Sequence, residues 1–262
     1  MKDILIFDEI KQLMKNKNNN FILLDTVDST NNYLKKMALS GAKSSTIVAA
    51  NEQTNGRGRL GRNFFSPPNT GIYMSILIRP EFSAVEAASM TISTCVAVCR
   101  VLNRLTGSET KIKWVNDIFA NGKKVCGILV EGAGDFKDGL PEYAVIGIGI
   151  NIEIPQNDFP ENIRETAGAV MANGVSRNRI IAAVADEVTK LCHEPLSDEV
   201  LDEYKRQLFI LGMNISYTKN GETKTGVAVD VNKLGNLIVR NSDGSTSHLC
   251  SGEVTLKSQN FI

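Results

Sequence analysis

Apolar positions along the chain recur with two periods, near 2 and near 3.6 residues, and the switches between them mark out its elements. The short apolar run Phe21 to Leu24 predicts a strand. Asp28 or Ser29 can then cap a helix carrying Tyr33, Leu34, Met37 and Ala38, with Gly41 as its stop. Thr46 to Ala50 and Gly71 to Ile78 are β-like, and the stretch between them is too rich in Gly, Pro and Asn to be either element. Ser83 to Leu105 has helical spacing ended by Gly107, and Lys111 to Trp114 starts another strand. Asn121-Gly122 tolerates positive φ at both positions, so Asp117 to Ala120 and Lys123 to Glu131 are expected to pair as a hairpin. A strand at Tyr143 to Ile152 and helices over 161–172, 177–193 and 197–209 complete a mixed α/β region.

From Asn214 the pattern changes to short β-like segments separated by turn signals at Asn220-Gly221, Gly235-Asn236 and Asp243-Gly244. The expected product is a small all-β barrel, an architecture that names no function by itself. At the other end, the polar run Lys15 to Asn20 reads as a linker after a short N-terminal segment. The domains are therefore expected at 1–20 (N-terminal segment), 21–211 (mixed α/β domain) and 212–262 (barrel).

Composition narrows the functional classes. Lys plus Arg and Asp plus Glu are 29 each, so no global field would hold the chain to nucleic acid or an anionic membrane, and any anion site must be local. Five cysteines without CxxC spacing, with only His193 and His248 beside them, give neither a disulfide framework nor a credible zinc set, and no metal ligands are assigned. No apolar stretch reaches the length of a membrane span, and reduced thiols fit a cytoplasmic location.

Chemistry concentrates in three places. Gly56-Arg57-Gly58-Arg59-Leu60-Gly61-Arg62 puts three guanidinium groups among three glycines. Glycine lets backbone approach an anion closely, and arginine offers bidentate donors to phosphate or carboxylate. Spacing alone leaves this segment open as an anion loop, a solvated basic loop or an RGG-type RNA contact. It is not a P-loop, because Arg62 and Asn63 stand where Lys and Ser or Thr are needed. Lys113-Trp114-Val115-Asn116-Asp117 lies where a strand meets the hairpin, so its polar groups can converge on a pocket at the sheet edge. Lys123 and Lys124 open an apolar strand on opposite faces, and alternation does not say which one turns inward.

In order, Asp28-Ser29-Thr30-Asn31, Gln53, GRGRLGR, KWVND, Lys124 with GILVE, and GIGIN at Gly147 to Asn151 resemble the biotin protein ligases over about residues 21–256. The resemblance implies an α+β fold whose mixed-sheet catalytic domain is like that of class II aminoacyl-tRNA synthetases and biotin–lipoate ligases, followed by an SH3-like C-terminal barrel. It implies that ATP and Mg2+ activate biotin to an acyl-adenylate, and that biotin then passes to a lysine of a biotin carboxyl carrier protein. Biotin and its adenylate are expected to meet Ser29, Thr30, Asn31, Gln53, Gly56, Arg57, Gly58, Arg59, Lys124, Gly127, Gly147 and Gly149. Arg59, Arg62 and Asn151 are expected on the ATP phosphate side, and Lys124, Arg57 and Asp117 in catalytic roles. The family lysine at position 124 resolves the choice alternation left open, and Asp117 matches an aspartate implicated in transfer.

Only about 20 residues precede the expected core, too few for the winged-helix repressor domain of some relatives, so no DNA partner is expected. Leu60, Phe64 and Val115 depart from residues common at those positions in the family, which bears on loop closure and adenine packing. A homodimer through the edge of the main sheet is compatible with the resemblance. The nearest rival is a lipoate ligase of the same fold, against which the arginine–glycine loop argues. A second rival is a non-catalytic RNA-binding module, against which neutral net charge argues.

Overall fold

The computed structural model describes residues 3–81, 83, 89–133, 142–171, 174–219, 221–250, 252 and 254–256. Seven strands form the main sheet: β1 (Asn20–Val27), β2 (Thr46–Gln53), β3 (Gly71–Ile78), β4 (Lys111–Lys113), β5 (Asp117–Ala120), β6 (Lys123–Ala133) and β7 (Tyr143–Asn151). Their order is β1-β2-β3-β7-β6-β5-β4. Only β1 and β2 run parallel, joined through helix α2 (Thr30–Leu39), so the sheet is mixed. The near-continuous apolar runs of β3 and β7 are explained by their central position, where every residue of β3 is buried.

Helix α2 covers one face of the sheet with Leu34 and Ala38 against Val48, Leu77, Tyr143 and Val145. Helices α1 (Phe7–Leu13), α3 (Met90–Thr106) and α5 (Arg177–Cys192) cover the other. Along α3, Ile92, Val96, Cys99 and Leu102 are fully buried at helical spacing, each such apolar side chain contributing roughly 1.5–3 kcal/mol. Four buried thiols, Cys95, Cys99, Cys126 and Cys192, pack here. Burial pushes the thiols of Cys99 and Cys192 up to about 12, so they remain protonated and inert.

The short N-terminal segment before β1 contains α1, whose Ile10 lies with Met14 in the main core. Asp3 and Arg177 form an ion pair, and the Asn178 amide donates to Ile4 O at 3.1 Å, which fastens the segment to α5. One expectation needs correction: the helix expected over 161–172 is one turn, α4 (Glu161–Arg164). Beyond it the backbone turns to the sheet instead. Lys124 N donates to Thr166 O and Gly168 N to Lys124 O, both at 2.8 Å, and these strand-like bonds outcompete helical ones. Helix α3 is described from Met90, and residues 84–88 of the longer helix expected there lie outside the described residues.

Helix α6 (Asp198–Gln207), capped by Ser197, leads into the second sheet. Strands β8 (Asn214–Lys219), β9 (Glu222–Val231), β10 (Leu237–Asn241), β11 (Thr246–Leu249) and β12 (Val254–Leu256) are antiparallel in the order β11-β10-β9-β8-β12. Ile215, Tyr217, Ala228 and Leu237 belong to the same buried cluster as the main sheet. Trp114 ties the two sheets together, its indole N–H donating to Gly235 O at 2.9 Å.

Candidate active site

The α2 face of the sheet carries a cavity of about 490 Å³ whose floor is made by glycine. Gly127, Gly147 and Gly149 sit on adjacent strands β6 and β7, where Gly127 and Gly149 are direct partners. A side chain at Gly147 would collide with the Asn31 amide, and one at Gly149 would come within 2.5 Å of the Phe64 ring. The glycines therefore leave the floor low enough for Phe64 and a ligand to lie on it.

One wall is the start of α2. Ser29 caps the helix by accepting from Asn32 N, which leaves Thr30 and Asn31 buried in the first turn. Gln53 Oε1 accepts from both Thr30 N (2.9 Å) and Thr30 Oγ1 (3.1 Å), and Gln53 Nε2 donates to Ser66 Oγ at 2.9 Å. The Ser75 hydroxyl lies 2.7 Å from Thr30 Oγ1 and 2.6 Å from Asn31 Oδ1. This buried hydroxyl–amide chain presents neutral donors and acceptors and suits an uncharged polar head group.

The arginine–glycine segment arches over the opening as a narrow hairpin. Phe64 N donates to Gly56 O at 2.9 Å and Gly58 N to Arg62 O at 2.7 Å, with Leu60 at its tip in the left-handed region (φ 55°, ψ 34°). Arg57 turns toward α2: one Nη donates to Asn32 Oδ1 at 2.9 Å and the other pairs with Glu131 Oε1 at 3.1 Å. Arg59 crosses to the opposite wall and donates to Asn116 Oδ1 at 2.9 Å. Asn116 is itself held by its amide on Ile128 O at 2.7 Å.

The second wall is the β5–β6 hairpin, formed as its Asn121-Gly122 turn predicts, with φ of 51° and 73° at the two positions. The first residue of β5, Asp117, and Lys124 of β6 form an ion pair at 2.7 Å, both about two-thirds covered. Lys124 thus turns into the cavity, whereas Lys123 reaches toward Arg164 O at the surface.

Of the residues singled out from the sequence, Ser29, Thr30, Asn31, Gln53, Arg57, Gly58, Arg59, Arg62, Asp117, Lys124, Gly127, Gly147 and Gly149 all line this one cavity. Gly56 sits behind it, too close to Phe64 O, Ser66 and Gln53 for any side chain. Asn151 stands apart: its amide donates to Gly168 O at 2.9 Å, and it is not among the lining residues. Sequence reading missed Ile163, Glu165 and Thr166, brought to the rim by the backbone pairing with Lys124, and Val254 and Thr255 from the second sheet. It also missed Glu131 as a partner of Arg57, although Asn31 and Lys35 at i, i+4 on α2 both point at that carboxylate. A broader depression of about 760 Å³ by Arg104, Asp186, Lys190 and His193 contains none of these residues.

Among the described residues no group of three or more His, Cys, Asp and Glu could hold a metal ion, and no helix is long and apolar enough to cross a membrane. Asp117 and Glu165 are the carboxylates among the lining residues.

Comparison with known proteins places this architecture. Residues 23–151 match the profile of the Biotin/lipoate A/B protein ligase family, and residues 210–257 that of the Biotin protein ligase C terminal domain. The chain is 35% identical over 174 residues to a bifunctional ligase/repressor BirA of Bacillus spizizenii, a match covering 66% of this chain and 52% of that protein. With 43% coverage of the Bacillus subtilis counterpart, the chain spans about half the length of these curated relatives. It is 28% identical over 237 residues to a biotin–[acetyl-CoA-carboxylase] ligase of Mycobacterium tuberculosis, covering 86% of this chain and 85% of that one. Its fold is similar to a biotin protein ligase from Aquifex aeolicus in complex with biotin and ATP, with a TM-score of 0.74, 26% identity and coverage of 91% and 98%. The chain therefore belongs to the Biotin/lipoate A/B protein ligase family and carries that family's biotin protein ligase C-terminal domain after its mixed-sheet core.

Proposed function

We propose that this chain activates biotin with ATP to biotinyl-adenylate and transfers the biotinyl group to a lysine of a biotin carboxyl carrier domain of a biotin-dependent carboxylase. The observation that carries the reading is one cavity with a neutral hydroxyl–amide end at Thr30 and Gln53 and a cationic end at Lys124 and Arg59. A ligand fitting both has an uncharged polar head and an anionic tail. That chemistry favours biotin over lipoate, whose dithiolane ring makes poor use of buried hydrogen-bonding groups.

In the first half-reaction a biotin carboxylate oxygen attacks the α-phosphorus of ATP, the bond to the bridging oxygen breaks, and pyrophosphate leaves. Lys124 and the loop guanidinium of Arg59 supply donors where charge builds on the phosphate oxygens, while Arg57 acts from its place on Asn32 and Glu131 by holding the loop over the site. Arg62 lines the same cavity. Asn151, outside the cavity, would act on the phosphates only through the Gly168 segment it holds. Magnesium would enter with the nucleotide, held chiefly by its phosphates, since the lining carboxylates are too few for a protein cage.

In the second half-reaction the carrier lysine nitrogen attacks the acyl carbon, AMP leaves with the bonding pair, and the lysine sheds a proton. An unperturbed lysine has a pKa of about 10.4, so it needs a base at neutral pH. We assign that role to Asp117. While Lys124 pairs with Asp117 the carboxylate is occupied, and transfer of Lys124 to the adenylate's oxygens frees it. We place this reaction in the cytoplasm, in a homodimer paired through an edge of the main sheet.

The test is pyrophosphate release from ATP and magnesium with biotin, and in parallel with lipoate, followed by biotin transfer to a purified carrier domain. Release with biotin alone and transfer to the carrier are expected. Release with lipoate alone, or with neither, would overturn the substrate or the enzyme assignment.

A further inference from the structure

Glu131 lies outside the roles assigned above, yet both of its oxygens are spoken for. Oε1 meets Lys35 Nζ at 2.6 Å and Arg57 Nη2 at 3.1 Å, and Oε2 accepts from Asn31 Nδ2 at 2.8 Å. Asn31 continues through Ser75 and Thr30 to Gln53, and Gln53 ends on Ser66, whose hydroxyl donates to Phe64 O at 2.9 Å. One polar chain thus fastens both feet of the arginine–glycine hairpin, Arg57 at one foot and Phe64 at the other.

The exposures rank what each end depends on. Glu131 is largely covered at 17% and Lys35 is at 24%, whereas Arg57 remains 44% exposed on a loop. The other partners of Glu131, Lys35 and Asn31, stand on α2 and not on the loop. Arg57 is carried by the loop itself, so lifting the loop would part it from this carboxylate. The carboxylate is therefore a fixed post, and Arg57 is the part that docks.

Resting on the adenylate-forming reading, we propose that Glu131 is a positioning residue that sets how long the loop stays closed over the biotinyl-adenylate, by serving as the docking post for Arg57. Loss of its charge leaves Lys35 and Arg57 as neighbouring cations without their shared counter-charge, and the loop foot is pushed out.

The experiment forms the adenylate on the enzyme with ATP and labelled biotin, dilutes it into excess unlabelled biotin, and follows loss of label. Glu131→Gln should release the intermediate about tenfold faster, the scale of one charge-assisted hydrogen bond, while the pyrophosphate burst persists. Arg57→Gln, which also gives up its bond to Asn32, should release it at least as fast, and the double variant no faster than Arg57→Gln alone, because the effect of Glu131 runs through Arg57. Lys35→Met, which leaves the Arg57 contact in place, should release it at the wild-type rate. Unchanged release in Glu131→Gln, or acceleration in Lys35→Met equal to that of Glu131→Gln, would overturn the proposal, the second by showing that Glu131 acts through α2 rather than the loop. Failure of the wild-type protein to release pyrophosphate with biotin would instead sink the enzymatic reading on which it rests.

Discussion

The two walls of the cavity carry similar charges on very different supports. Lys124 and Asp117 stand on paired strands, and the positions of their backbones are set by the β5–β6 ladder and by the bonds between Lys124 and residues 166–168. Arg57 and Arg59 stand on a hairpin with one isolated bridge of its own, between Arg57 and Asn63, and are positioned by side-chain ties to Asn32, Glu131 and Asn116. A ladder fixes a group before the ligand arrives, whereas side-chain ties can be exchanged when it does. The strand wall should thus govern the rate of chemistry, and the loop wall the retention of what has been made.

The largest test of that division is Lys124→Ala. It removes a preorganised cation from the α-phosphate, and adenylate formation should fall by about 100- to 1000-fold, as seen when one oxyanion donor is removed. Single-turnover pyrophosphate release measures it, and a drop smaller than tenfold would put the chemistry on the loop wall instead. Next is the floor they share. In Gly149→Ala the new methyl would lie 2.5 Å from Phe64 Cε1, forcing the ring to move, whereas in Gly127→Ala the nearest ring carbon is at 3.3 Å. Overpacking of this kind costs ~1–3 kcal/mol, so Gly149→Ala should melt measurably lower and bind biotin more weakly, with Gly127→Ala milder on both. Equal effects at the two positions would mean that Phe64 does not rest on the floor.

Acid should act on the loop wall through Glu131. Burial by itself would raise this carboxyl, but hydrogen bonds from Lys35 and Asn31 and the nearby charges of Lys35 and Arg57 hold it below its ordinary value. A carboxyl whose folded pKa is depressed contributes its stability in full above the unfolded value, about 4.3 for glutamate, and loses it as pH falls through the lower folded one. Wild-type protein should therefore melt above Glu131→Gln at pH 7, and the gap should close as pH drops well below 4. A gap that is constant with pH would show that the charge of Glu131 contributes nothing.

What could be read from the sequence follows the same division. The strand wall was legible as a hairpin, because Asn121-Gly122 is a local signal, but alternation left Lys123 and Lys124 equivalent and only the family position chose Lys124, which stands opposite Phe119 and reaches Asp117 through its side chain across a bulge. The glycines of β6 and β7 were legible as family positions, but not as the bed of Phe64, because that contact joins residues far apart in sequence. The loop was legible as chemistry and not as geometry. Nothing in GRGRLGR says that its first arginine faces α2 and its second the opposite wall. The helix expected over 161–172 failed for a related reason, since its tail pairs with Lys124, which no local pattern reveals.

The smallest effect is expected at the tip of the loop, and it probes whether the hairpin is held by its backbone or by its ties. Leu60 is 72% exposed and has φ 55°, a conformation that costs a non-glycine residue roughly 1–2 kcal/mol. Leu60→Gly removes that strain but gives the unfolded chain more freedom, which returns ~0.5–1 kcal/mol. The net gain should be no more than about 1 kcal/mol, visible as a small rise in melting temperature, and the rate of adenylate release should hardly change. A loop anchored at its feet by Glu131 and Ser66 tolerates a freer tip. Faster release in Leu60→Gly, approaching that of Glu131→Gln, would mean instead that the stiffness of the tip holds the loop down, and the two walls would then differ in sequence but not in how they are supported.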